Sequence, residues 1–124
     1  MVPTVLSLAN RLLTGAHIPS ECAIGRGTKI AYGGAGLVIH RDAKIGSNCL
    51  LSPGVVLGGR GDSHNGPTGN SVPVLEDNVM VYPGAKLLGG IRIGSGARIG
   101  PNAVVIHDVP PGATVVAPLG RILK

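Results

Sequence analysis

Stepping along the chain in sixes from Ile18 meets an aliphatic residue each time, at Ile24 and Ile30. The same step from Ile39 meets Ile45, Leu51 and Leu57, and from Leu75 it meets Val81, Leu87, Ile93, Ile99 and Val105. Two places earlier the side chain is mostly small or β-branched: Ala16, Cys22, Thr28, Ala43, Cys49, Val55, Val79, Ala85, Ala97 and Ala103. Leu37, Pro73 and Ile91 are the larger exceptions. Alternation with a period of two sends both positions to one side of an extended strand and their neighbours to the other. Six residues then make a short strand and a tight corner, where Gly, Asn, Asp and Ser supply the turn chemistry. Such a strand cannot bury its inner face alone, so successive turns must stack into a solenoid.

Grouped by eighteen, the inward residues form three columns. They are Ile18, Ile39, Leu57, Leu87 and Val105; Ile24, Ile45, Leu75 and Ile93; and Ile30, Leu51, Val81 and Ile99. The register breaks between Ile30 and Ile39, where three residues are extra, and between Leu57 and Leu75, where twelve are extra. The second break reads as an extruded loop, because a degenerate coil would turn Ser63 and Gly69 inward. The pattern therefore predicts an all-β solenoid over 16–124, with a loop at 58–74 and a tail at 107–124 that leaves the repeat at the paired prolines. Residues 1–15 read as an amphipathic helical cap, begun after Pro3 and ended by Gly15.

Composition agrees with a thin, stacked core. Of 124 residues 21 are Gly, and Tyr32 and Tyr82 are the only aromatics, so the apolar 44 % is nearly all aliphatic. Charged residues are too few for disorder, and the glycines lack the three-residue period of collagen. The net charge of +5 favours phosphate-bearing or acidic ligands. Two separated tyrosines make no stacking platform for nucleic acid. No apolar run reaches the roughly 18 residues of a membrane span, so the expectation is a soluble intracellular chain with no membrane span. Cys22 and Cys49 lack metal-type spacing and read as two buried thiols.

Loops that interrupt a rigid solenoid are where function concentrates. His40 follows Ile39 directly, so alternation turns its ring outward just after the first insertion. One coil on, the equivalent outward place is Gly58, which opens the large loop and leaves room for a ligand beside the imidazole. His64 lies inside that loop. An imidazole is the usual general base near neutral pH, so His40 is the preferred base, with His64 and Tyr32 as orienting groups. Main-chain donors near Gly58 and Gly59 would stabilise an oxyanion. His17 and His107 read as structural. The cations Lys86, Arg92, Arg98 and Arg121 come late in the chain, as a solvated outer face or as a groove for a phosphorylated cofactor.

The hexapeptides "AKIGSN", "IRIGSG" and "ARIGPN" resemble those of the left-handed parallel β-helix, in which three hexapeptides close a triangular coil; the handedness comes from this resemblance. The stretches "GLVIHRDAKIGSNCLLSPGVVLGGRG" and "VPVLEDNVMVYPGAKLLGGIRIGSGARIGPNAVVIHDVPPGATVV" resemble the catalytic domain of serine O-acetyltransferases and of related sugar and polysaccharide O-acetyltransferases. That resemblance implies a homotrimer with acetyl-CoA, as co-substrate, in a groove between subunits, and transfer of acetyl to a hydroxyl of a small molecule or sugar. No metal is expected.

The family's Asp–His pair does not survive. Its Asp falls on His17, its His on Tyr32 of "IAYGGAGLVIH", and its loop Arg-His-Pro on Ser71-Val72-Pro73, with His64 upstream as a replacement. His40 resembles the "VIH" of the polysaccharide-type relatives. Turn residues lining the CoA groove fall near Pro83 and Pro101, which have no N–H; Gly84, Ala85, Asn102 and Ala103 would donate instead, with Arg121 near them. The large helical N-terminal domain of serine acetyltransferases has no counterpart in these 124 residues. Two other readings stay open: a zinc enzyme like the carbonic anhydrases of the same fold, and a non-catalytic scaffold.

Overall fold

The computed structural model describes residues 15–20, 22–61 and 71–124. Most of the predicted cap, together with His64 and the centre of the large loop, lies outside them. Among the described residues thirteen short strands follow one another: β1 (Ala23–Ile24), β2 (Lys29–Ile30), β3 (Val38–Ile39), β4 (Lys44–Ile45), β5 (Leu50–Leu51), β6 (Val56–Gly58), β7 (Val74–Leu75), β8 (Met80–Val81), β9 (Lys86–Leu88), β10 (Arg92–Ile93), β11 (Arg98–Ile99), β12 (Val104–Val105) and β13 (Thr114–Val115). They form three parallel sheets, the faces of a left-handed β-helix. The first face is β1-β4-β7-β10, the second is β2-β5-β8-β11-β13, and the third is β3-β6-β9-β12.

The register reproduces the three columns read from the period. Ile24 pairs with Ile45, Ile45 with Leu75 and Leu75 with Ile93 on the first face. The second face stacks Ile30, Leu51, Val81 and Ile99, and the third stacks Ile39 on Leu57, Leu57 on Leu87 and Leu87 on Val105. From Ile39 to Val105 every one of these inward residues is buried, as are Ala43, Val55, Val79, Ala85, Ala97 and Ala103. The prism is filled by branched aliphatics with small residues at the corners, and no ring is needed to fill it.

The tail departs from expectation. Val109 bridges Ile93 on the first face, and β13 pairs with β11 on the second. The solenoid therefore continues through two further strand positions, reached by shortening the corner after Val105. The segment beyond Val115 then runs without regular structure, with Leu119, Ile122 and Leu123 exposed.

A polar clasp joins the last coils on the first face. Glu76 accepts from Arg92 Nη1 at 3.0 Å and from the Ser95 N–H at 3.0 Å, while Asp108 accepts from the Arg92 N–H at 2.9 Å. A hollow of about 280 Å³ over Val109, Pro110 and Pro111 opens beside it. The Arg92 hydrogen bond, helped by the Ser95 N–H, holds the Glu76 carboxyl below its ordinary range. A carboxylate with a depressed pKa adds stability above its unfolded pKa and loses it as pH falls through the folded value. Glu76→Gln should therefore melt below the wild type at neutral pH, by a modest margin for an exposed pair. That margin should close on acidification in thermal melts; a margin constant with pH would contradict the assignment.

Both thiols are free. Cys49 is buried and its Sγ donates to the Glu76 carbonyl at 3.2 Å; Cys22 is half-buried, with its Sγ 3.5 Å from the Ala43 carbonyl. Burial pushes both thiols up, away from the reactive thiolate.

Candidate functional site

His40 stands at the edge where the third face turns into the first. Its N–H donates to the Leu57 carbonyl at 2.8 Å, which ties the residue to the coil below. The Ile39–Leu57 register continued by one residue places Gly58 next to it, as the alternation requires. Gly58 is itself paired with Leu88, and its carbonyl accepts from the Gly89 N–H at 2.8 Å. Neither Gly58 nor Gly59 has a positive φ, and a Cβ on either would meet nothing closer than 3.8 Å. The fold does not demand glycine at these two places, unlike Gly25 or Gly46, whose Cβ would strike the neighbouring backbone at 2.5–2.7 Å. Among the described residues the space over Gly58, one coil on from His40, is uncrowded. The Gly59 N–H makes no hydrogen bond to any described residue. Arg60 lies across Gly89 on the next coil.

The imidazole is held from its own turn. Nδ1 accepts the Asp42 N–H at 3.0 Å, and Asp42 Oδ2 lies 3.9 Å from the same nitrogen. An accepting ring nitrogen carries no proton, so the neutral ring carries it on Nε2. The ring nitrogen nearest the backbone is thus engaged by the main chain of its own turn.

Other expected partners are dispersed. Tyr32 sits in the short 3-10 turn Ala31–Gly34, which holds the first insertion at the edge between the second and third faces. Its ring is 88 % exposed and its φ is +53°, a left-handed conformation that is costly for a bulky residue. His40 occupies the opposite edge of the third face, so a single chain does not bring Tyr32 to it. The two insertions occupy different edges for the same reason. His17 bridges Val38 and lies on the outer third face, while His107 is exposed in the shortened corner.

The expected cofactor donors are also spent. The N–H groups of Gly84 and Asn102 donate to the carbonyls of Pro53 and Pro83, each at 3.0 Å. Those of Ala85 and Ala103 donate within their own turns, to Tyr82 at 3.3 Å and to Gly100 at 3.2 Å. The side chains of Ala85 and Ala103 are buried in the prism. Stacking of coils engages the N–H groups of Gly84 and Asn102, and turn closure engages those of Ala85 and Ala103. Lys86, Arg92 and Arg98 do not cluster either. They are outward residues of the third, first and second faces, because each six-residue step turns the chain by one face. Arg121 is exposed in the tail. Val72, on which the family's loop histidine was expected to fall, is buried in the core. Among the described residues no three His, Cys, Asp or Glu side chains are grouped to hold a metal.

Sequence reasoning missed Asp42. Its signal was available, since an Asp two residues after an outward His in a tight turn can offer both N–H and carboxylate to the ring.

Comparison with known proteins agrees with this architecture. The family described as "Bacterial transferase hexapeptide (six repeats)" matches residues 73–107. The serine acetyltransferase of Synechococcus elongatus is 43 % identical over 123 residues, which cover 99 % of this chain and 48 % of that protein. The crystal structure of Neisseria gonorrhoeae serine acetyltransferase in complex with serine superposes with a TM-score of 0.79 at 34 % identity, covering 93 % of this chain and 46 % of that one. A serine acetyltransferase in complex with CoA gives a TM-score of 0.74 at 29 % identity, covering 90 % and 42 %. The chain spans about half the length of the curated relatives it matches. The chain has a left-handed β-helix built of hexapeptide repeats, and it is similar in sequence and in structure to serine acetyltransferases.

Proposed function

We propose that the chain transfers acetyl from acetyl-CoA to a hydroxyl of a small molecule or sugar, at the floor formed by Gly58 and Gly59 beside His40. The acceptor oxygen forms a bond to the acetyl carbon, the carbon–sulfur bond breaks, and the hydroxyl proton ends on the CoA sulfur. The observation that carries the reading is this pair of glycines, held at places where no described residue approaches closely enough to require glycine. Similarity to serine acetyltransferases, one of them in complex with serine and one with CoA, supports the acceptor class and the co-substrate. Arg121 and the exposed Asn102 side chain remain available to CoA at the surface.

A homotrimer completes the site. The outer third face carries Val38 and Val104, the latter 63 % exposed, with Leu88 and Ile106 beside them. Turning that face to a threefold axis abuts its two bordering edges on neighbouring copies, so that Tyr32 of one copy approaches His40 of the next. Among the described residues no helix is long and apolar enough to cross a membrane. A cytoplasmic location accords with two free thiols.

The test is release of free thiol from acetyl-CoA with a panel of hydroxyl acceptors, serine and sugars among them, alongside calorimetry with CoA. Acceptor-dependent release and CoA binding are expected. Absence of both would favour the scaffold reading, which the dispersal of Tyr32 and His40 within one chain keeps in contention.

A further inference from the structure

The turn His40–Asp42 does more than expose an imidazole. The Asp42 N–H points at Nδ1 over 3.0 Å, a bond made within one corner of the coil and independent of any partner. A donor facing Nδ1 favours the Nε2–H tautomer of the neutral ring. Nε2 is then a donor. One coil on in register lies Gly58, followed by Gly59, whose N–H is used by no described residue. An acyl carbonyl oxygen gathers negative charge as the acceptor attacks, and donors fixed beforehand near it stabilise that charge without reorganisation.

We propose that His40 acts as a hydrogen-bond donor through Nε2–H to the thioester carbonyl oxygen, and not as the proton acceptor, with Asp42 as the positioning residue whose N–H sets the tautomer. This rests on the acetyl-transfer reading above. The juxtaposition also explains why His40 needs no buried carboxylate behind it. A base would require Nδ1–H facing an acceptor, whereas Nδ1 here meets a donor. The Asp42 carboxylate, at 3.9 Å, is beyond hydrogen-bond distance.

Two measurements test the proposal. In the first, His40→Gln is compared with His40→Ala, since the glutamine amide can replace a donor at Nε2 but cannot accept a proton as a base. Loss of an oxyanion donor costs about 10²- to 10³-fold in kcat, so that loss is expected in His40→Ala with KM for acetyl-CoA little changed. His40→Gln should recover turnover to within about tenfold of wild type. In the second, nitrogen-15 shifts of the neutral His40 ring should show a protonated Nε2 and a bare Nδ1. Asp42→Pro, which removes the N–H, should weaken that preference to the ratio of a free imidazole, while Asp42→Asn, which keeps it, should not. If the wild type turns over but His40→Gln is as poor as His40→Ala, or the neutral ring carries its proton on Nδ1, this inference fails and the acetyl-transfer reading stands. If the wild type shows no turnover with any acceptor, that reading fails and takes this one with it.

Discussion

Gly46→Ala should lower the melting temperature by about 10 °C, whereas Gly58→Ala should change it by no more than about 2 °C. Both glycines follow an inward aliphatic residue, Ile45 and Leu57, and the repeat alone treats them as equals. Their surroundings differ. A Cβ on Gly46 would stand 2.5 Å from Asp77 Oδ1 and 2.7 Å from the Glu76 carbonyl, and Gly25 stacks on Gly46 in the same tight way. Backbone cannot move aside as a flexible side chain can, so the first face must part locally. A Cβ on Gly58 would meet only Val56 Cγ1 at 3.8 Å and Leu88 Cδ2 at 3.9 Å, ordinary contacts. Gly58→Ala should instead show its effect in turnover, with about a tenfold loss as the methyl intrudes on the floor beside His40. Melts followed by circular dichroism, paired with thiol release, check both halves. Equal melting temperatures for the two variants would remove the argument that Gly58 is spared for a ligand.

The second large effect lies directly beneath the site. Leu57→Ala should cost about 4 kcal/mol in urea unfolding. Leu57 is 0 % exposed and is stacked in register on Ile39 and Leu87, one coil away on either side. Neighbouring coils are held at a fixed spacing by their hydrogen bonds, and no large side chain is at hand to swing into the void, so the cavity stays open. Leu57 also carries the carbonyl that receives the His40 N–H and precedes Gly58 in β6. Turnover measured well below the unfolding transition should therefore fall as well. A cost under about 1 kcal/mol would mean that the prism relaxes more than its register allows.

Much of the fold was legible because its information is local and repeated. An inward aliphatic every six residues, a small residue two places before it and Gly or Asn at the corners are requirements that each strand and turn makes on its own residues. The three columns follow by counting, and both insertions announce themselves as breaks in the count. The end of the repeat was read less well. Pro110 and Pro111 looked like a stop, yet they occupy a corner, where a missing N–H costs no ladder bond, and the chain resumes pairing at Thr114–Val115.

The site was legible only in part, for a physical reason. That His40 points outward and stacks beside Gly58 follows from alternation and period, so the sequence alone determined it. Which edge a residue occupies depends on every corner length before it, and this separated Tyr32 from His40 and sent Lys86, Arg92 and Arg98 to three faces. Of the main-chain donors expected for a cofactor, those of Gly84 and Asn102 bond to carbonyls of the adjacent coil, a partner that exists only once the coils are stacked. What His40 Nδ1 meets was decided last, by the Asp42 N–H at 3.0 Å. Composition and period specify a prism and where it is interrupted. Tertiary structure alone decided which polar groups remain free on its edges, because stacking consumes most of them and leaves the rest without a periodic signature.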